Sequence, residues 1–222
     1  LAEERAEELM KSGYGRLYHV AGTARNTSTP ERGCGCALFV NSAIARNDTE
    51  RIVYTKPDGR ALGIHLTWKR MDLLVLVTHA PSEHSAQRKW FQEVREGLAD
   101  AYRGMHGNLG ERICIWMSDN NLIVDPEKDE HPARAAQTHA EAAAVEEMRQ
   151  LGVVIGATED LYRVLHPDGM EITHEQTGQT PRRLDTIKSS PRVLGQGAAH
   201  GAPRVCSVRH VHLHEHECAY NP

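Results

Sequence analysis

The chain has 222 residues, 40% hydrophobic and 25% charged, the ordinary make-up of a globular protein long enough to bury about 70% of its unfolded surface. Its formal net charge of −4 excludes a protein that coats nucleic acid by charge alone and leaves room for an enzyme with a local basic patch. No run of 18 apolar residues is present, so no membrane contact is expected, and the acidic opening LAEERAEELMKSG is no signal peptide, which argues against secretion.

In chain order, residues 2–12 read as a short amphipathic helix stopped by Gly13, and residues 16–21 as a strand. The polar, turn-rich stretch 22–33 is a loop, and residues 34–40 form a buried strand. Residues 52–55 and 62–68 flank a turn at Pro57-Asp58-Gly59 and predict a β-hairpin. MDLLVLVT, residues 71–78, is a continuous apolar strand of the kind covered on both faces. A helix over 85–102 follows from Trp90, Phe91, Val94 and Leu98 at helical spacing. RICIWM, residues 112–117, is a second buried strand, and DPEKDEHPAR a charged loop. Thr138 and Glu141 stand in capping-box spacing at the head of an alanine-rich helix over 138–151. Residues 184–188 and 205–216 are further strands, joined by a flexible connector over 195–203. The mixture of strands and helices is an α/β pattern without a linker long enough to divide it, so a single domain over 1–222 is expected.

Cys34, Cys36, Cys114, Cys206 and Cys218 are odd in number and scattered, which favours a reducing, intracellular compartment over a disulfide framework. Cys34 and Cys36 have no zinc-finger spacing; small apolar residues in strands are the favoured account of them, a zinc site with the His-rich tail the other. His210, His212, His214 and His216 alternate along one strand face, either a solvated face or a place where transition metals adhere.

Functional groups in α/β proteins gather where strands end. His79 follows LLVLVT, Asp119 and Asn121 follow RICIWM, and Glu215 and His216 end the last strand. Asp119 and Asn121, two apart in extended chain, would share a side and could hold a water or an oxyanion between a carboxylate and an amide. A plain polar turn is the other reading of the same residues.

The ordered series GCGCALFV, LVLVTHAP followed by QRKWFQEV, IWMSDNN, LGVVIGATEDLYRVLHP, ITH, RRLDTIKSS and a final HEH resembles the endonuclease/exonuclease/phosphatase superfamily. Within it the series most resembles the apurinic-type endonuclease domains of non-LTR retrotransposons. The resemblance implies a four-layer α/β sandwich, two packed mixed β-sheets flanked by helices. It also implies that the first strand or strands are lacking, because the family's early Asn motif and its Gln-Glu-Thr-like Glu motif are not found.

Carried over by position, Asp119 resembles the residue that activates the attacking water, and Asn121 the one that hydrogen-bonds the scissile phosphate. His216 resembles the phosphate-binding histidine, Asp185 of RRLD the carboxylate that orients it, and Glu215 a metal-associated aspartate. His79 stands where the family has a tyrosine. The activity implied is DNA nicking by hydrolysis of a phosphodiester with Mg²⁺, or Mn²⁺ in its place, in a nucleus when the target is genomic DNA. A covalently linked reverse transcriptase in a longer parent is the implied partner. Arg182 and Arg183 are the basic candidates for contact with DNA, the alternative being a solvated loop pair. The short EQTGQTP segment before them predicts little base-specific readout. Two other readings stand beside this one: a truncated, catalytically impaired remnant, and a phosphatase-type member acting on small phosphate esters.

Overall fold

The computed structural model describes residues 15–21, 35–41, 51–68, 71–103, 113–133, 136–169, 172–175, 177–178 and 180–194. The expected helix over 2–12 and the terminal strand over 205–216, with Glu215 and His216, lie outside the described residues, as do Cys34, Cys206 and Cys218. The described elements run β1 (Arg16–Ala21), β2 (Gly35–Val40), β3 (Arg51–Thr55), β4 (Ala61–Trp68), β5 (Met71–His79), α1 (His84–Arg103), β6 (Ile113–Asp119), α2 (His139–Ile155), β7 (Glu159–Asp160), α3 (Leu161–Leu165) and β8 (Asp185–Ser189). Among them no helix is long and apolar enough to cross a membrane.

Six strands form a mixed sheet in the order β3-β4-β5-β6-β8-β7, and β1 and β2 form a second, antiparallel pair. β5 and β6 are parallel, which demands a crossover, and α1 supplies it. Their other neighbours, β4 and β8, are antiparallel to them.

Strand alternation sorts the side chains of the six-stranded sheet into two cores. On one face Leu74, Leu76, Cys114 and Trp116 meet Phe91, Val94 and Leu98 of α1 and Val145, Met148 and Leu151 of α2. On the other face Leu62, Ile64, Leu66, Leu73, Val75 and Ile113 meet Cys36 and Val40 of the small sheet. Among the described residues the layers are helices, large sheet and small sheet: an α/β sandwich with two packed sheets.

α2 carries the expected capping box, with the Glu141 N–H donating to Thr138 Oγ1 at 3.3 Å and the Thr138 N–H to Glu141 Oε2 at 2.7 Å. It runs four residues past the expected end, through Gly152. A Cβ there would sit 2.9 Å from the Ala157 carbonyl oxygen, so the glycine serves the returning chain rather than a helix stop.

Lys188 of β8 lies directly across from Trp116, its ammonium 5.0 Å from the indole ring. Burial pushes it down to about 8; Arg149 and Arg183 act in the same direction, against Asp160 and Asp129. Below pH 8 both folded and unfolded chains hold this proton, so the full burial penalty is present. Between pH 8 and the ordinary lysine value near 10.5 the folded chain binds fewer protons, and stability gains up to about 1.4 kcal/mol per pH unit from this group. Lys188→Met is therefore expected to melt higher than the wild type at pH 7, with the gap closing between pH 8 and 10. Cys114, whose thiol burial pushes up, titrates alike in both proteins and cancels from the difference. A constant or widening gap across that range in parallel thermal melts would contradict this.

Candidate active site

The ends of three central strands meet in one row. His79 of β5 pairs in register with Asp119 of β6, and Asp119 with Asp185 of β8. All three are half-buried and share the face of Val75, Val77 and Met117, the face turned toward the small sheet. Across the antiparallel pair, Asp119 and Asp185 bring their Cβ atoms within about 4.5–5.5 Å. His79 Nε2 stands 3.7 Å from Asp119 Oδ2, an ion-pair distance when the ring is protonated and too long for a hydrogen bond.

β5 and β6 end one and two residues later than the sequence predicts, which puts His79 and Asp119 on the sheet itself. The chain then turns sharply. Asn121 adopts φ 47°, a left-handed conformation that asparagine tolerates better than most residues. Its N–H donates to Asp119 Oδ1 at 3.0 Å, so the polar-turn reading describes the local geometry, and the turn brings the amide beside the carboxylate. Asn121 Nδ2 donates to the Ala80 carbonyl at 2.8 Å, which fixes the amide and leaves its second hydrogen for another acceptor.

Beneath this row, on the helix side, lies a chain of buried hydrogen bonds. Trp116 Nε1 donates to Thr78 Oγ1 (2.9 Å), Thr78 to Ser118 Oγ (2.7 Å), and Ser118 to Asn120 Oδ1 (2.6 Å). Asn120 Nδ2 then donates to Thr186 Oγ1 (2.8 Å). The Asn120 N–H reaches the Leu184 carbonyl at 3.0 Å, while Thr173 Oγ1 accepts the N–H groups of Leu184 and Asp185 at 2.9 and 3.0 Å. Asn120, Thr173 and the fully buried Gln87 are the positioning groups that sequence reasoning passed over. Two of the three carry a faint signal: Gln87 stands one turn ahead of Phe91 on an otherwise apolar helix stripe, and Asn120 alternates with Asp119 on a strand end.

Arg183 is corrected. Its guanidinium is 1% exposed, with Nε 2.9 Å from Asp129 Oδ1 and Nη2 2.6 Å from Asp160 Oδ2. Arg163 joins the same Asp129 carboxylate. The buried Asp129 and the partly exposed Asp160 hold Arg183 inside, so it does not present itself to a substrate, and Asp129 in the charged loop is core rather than solvated surface. Arg182 is partly exposed, 3.4 Å from Glu130 Oε1. His79, Asp119, Asn121 and Asp185 are thus brought together, Arg183 is turned away, and Glu215 and His216 lie outside the described residues.

The row and Asn121 offer carboxylate and amide oxygens, the hard ligands a divalent cation prefers, beside the His79 imidazole. Among the described residues, however, no group of three or more His, Cys, Asp or Glu side chains converges on a metal.

No family model matches the chain, and no curated protein matches it in sequence. Solved structures do match. An AP endonuclease of Archaeoglobus fulgidus aligns with a TM-score of 0.59 at 15% identity, over 86% of this chain and 72% of that one. The AP endonuclease LMAP of Leishmania major gives 0.56 at 14% identity, over 88% and 68%. A 3'-5' exonuclease of Neisseria meningitidis gives 0.55 at 15%, over 86% and 72%. The chain has an endonuclease/exonuclease/phosphatase-type fold.

Arg183→Met leaves Asp160 and half of Asp129's pairing uncompensated and is expected to cost about 3–5 kcal/mol of stability. Arg182→Ala should cost less than about 1 kcal/mol. Urea unfolding of the two variants measures both, and equal midpoints would refute the structural role given to Arg183.

Proposed function

We propose that this chain is a metal-dependent phosphodiesterase that nicks DNA, of the type seen in the retrotransposon endonucleases its motifs resemble. The observation that carries the reading is the row His79–Asp119–Asp185, with Asn121 folded against it, at the strand ends of this fold. Solved structures with the same fold include AP endonucleases and an exonuclease, which supports a nuclease-type hydrolysis.

In the proposed reaction a water oxygen forms the new bond to phosphorus, and the bond to the leaving alcohol oxygen breaks. Asp119 takes the water's proton as general base. The free amide hydrogen of Asn121 and the His79 ring donate to phosphate oxygens. His216, oriented by Asp185, balances the charge gathering on phosphorus. Mg²⁺ or Mn²⁺, held in part by Glu215, would stabilise charge on the phosphate and leaving oxygens. DNA is the proposed substrate, with Arg182 the remaining basic candidate beside the site. A linked reverse transcriptase and action inside the cell, on genomic DNA in a nucleus, follow from the motif resemblance alone.

The test is conversion of supercoiled plasmid to the nicked circle by the full chain. Nicking should require added Mg²⁺ or Mn²⁺ and stop with EDTA. Asp119→Asn and His216→Ala should each slow it by at least about a hundredfold. Hydrolysis of a small phosphate diester without nicking would assign small esters instead, and no hydrolysis of either would sink the proposal.

A further inference from the structure

Gln87 sits in the first turn of α1, wholly buried, facing two stretches of chain rather than one. Its Nε2 donates to the Pro81 carbonyl at 2.8 Å, on the segment leaving β5. It also donates to the Asn121 carbonyl at 2.7 Å, with the Asn120 carbonyl at 3.4 Å, on the segment leaving β6. Two amide hydrogens meet two short acceptors, so the donor capacity is filled. The other end of the same amide is an orphan: Oε1 is buried and accepts no hydrogen bond from any of the described residues. Turning the amide over would aim its oxygen at all of these carbonyls, so the neighbours fix its orientation.

A buried orphan acceptor is unfavourable in itself, and a residue selected only to fill space would be apolar here, as Phe91, Val94 and Leu98 are further along the stripe. What the glutamine supplies is a donor. Asn121 is in a left-handed conformation that needs outside support to persist. Its side chain already reaches the Ala80 carbonyl, and Gln87 holds its carbonyl from below. The two contacts clamp Asn121 from both ends and tie it to the chain that carries His79.

We infer that Gln87 is a positioning residue for the active site, acting through the carbonyls of Pro81 and Asn121 to set the amide of Asn121 against the His79 segment. As a statement about catalysis this rests on the phosphodiesterase reading. As a statement about geometry it does not.

The test compares Gln87→Met and Gln87→Glu in the full chain. Methionine keeps the volume and removes the donor. Glutamic acid keeps the shape, and among carbonyl oxygens it holds its proton and donates once. Gln87→Met should lower kcat about ten- to a hundredfold with KM changed less than about threefold, because a misplacement near 1 Å suffices for such a loss. Gln87→Glu should recover much of that loss at similar thermal midpoints. Equal kcat in all three proteins would mean that the side chain merely fills space and would overturn the inference. Amide hydrogen exchange, read without substrate, separates this from the function itself. The Asn120 and Asn121 N–H groups should exchange faster in Gln87→Met while those of Val77 and Met117 do not change. Unaltered exchange at Asn120 and Asn121 overturns the positioning role whatever the activity, whereas a wild-type protein that hydrolyses nothing overturns only the phosphodiesterase reading.

Discussion

The arrangement depends on the buried chain of hydrogen bonds running from Trp116 through Thr78, Ser118 and Asn120 to Thr186. It ties β5, β6 and β8 together at the end where the chemistry-bearing side chains stand. Each neutral bond contributes only about 1 kcal/mol net, but a broken one leaves a dry polar atom that costs about 1–3 kcal/mol. The strand ends are therefore held as a unit or not at all, and the low local dielectric strengthens the series. Ser118, Asn120 and Thr186 face the helices, so the adjoining Asp119 and Asp185 must face the other way.

That division of labour explains why charged groups can sit together at the sheet's end. The neutral, hydrogen-bonded series from Trp116 to Thr186 occupies the dry side of the strand ends, and half-exposed acids occupy the side turned toward the small sheet. The approach of the chain to β8 is held by a second device. Arg183 locks onto Asp129 and Asp160, which come from a loop and from the short β7, and Thr173 accepts the two N–H groups that open β8. Asp185 thus begins its strand from a fixed point, opposite Asp119.

Much of this architecture was legible in the chain. The apolar runs that became β5 and β6, the Trp90–Leu98 stripe of α1 and the Thr138/Glu141 box of α2 are local patterns, and local patterns survive folding. The ordered motifs pointed to the fold that comparison with solved structures bears out. The register that lines up His79, Asp119 and Asp185 was not legible, because it is set by pairing between segments 40 and more residues apart. The fate of Arg183 was hidden for the same reason: its acids lie 54 and 23 residues away, and a double arginine before a strand gives no local sign of burial. The extension of α2 past residue 151 was not legible either, because the close approach of the Ala157 carbonyl to Gly152 is a contact with the returning chain.

The central claim is spatial: a phosphate group is gripped between the Asn121 amide, the Asp119 carboxylate and the His216 ring. A crystal structure of the full chain with a slowly cleaved phosphorothioate dinucleotide tests it most directly. The account predicts phosphate oxygens within hydrogen-bond distance, about 2.6–3.2 Å, of Asn121 Nδ2 and a His216 ring nitrogen, with Asp185 against the other face of that ring. A dinucleotide seated elsewhere, or a His216 on the far side of the molecule from Asp119, would contradict it.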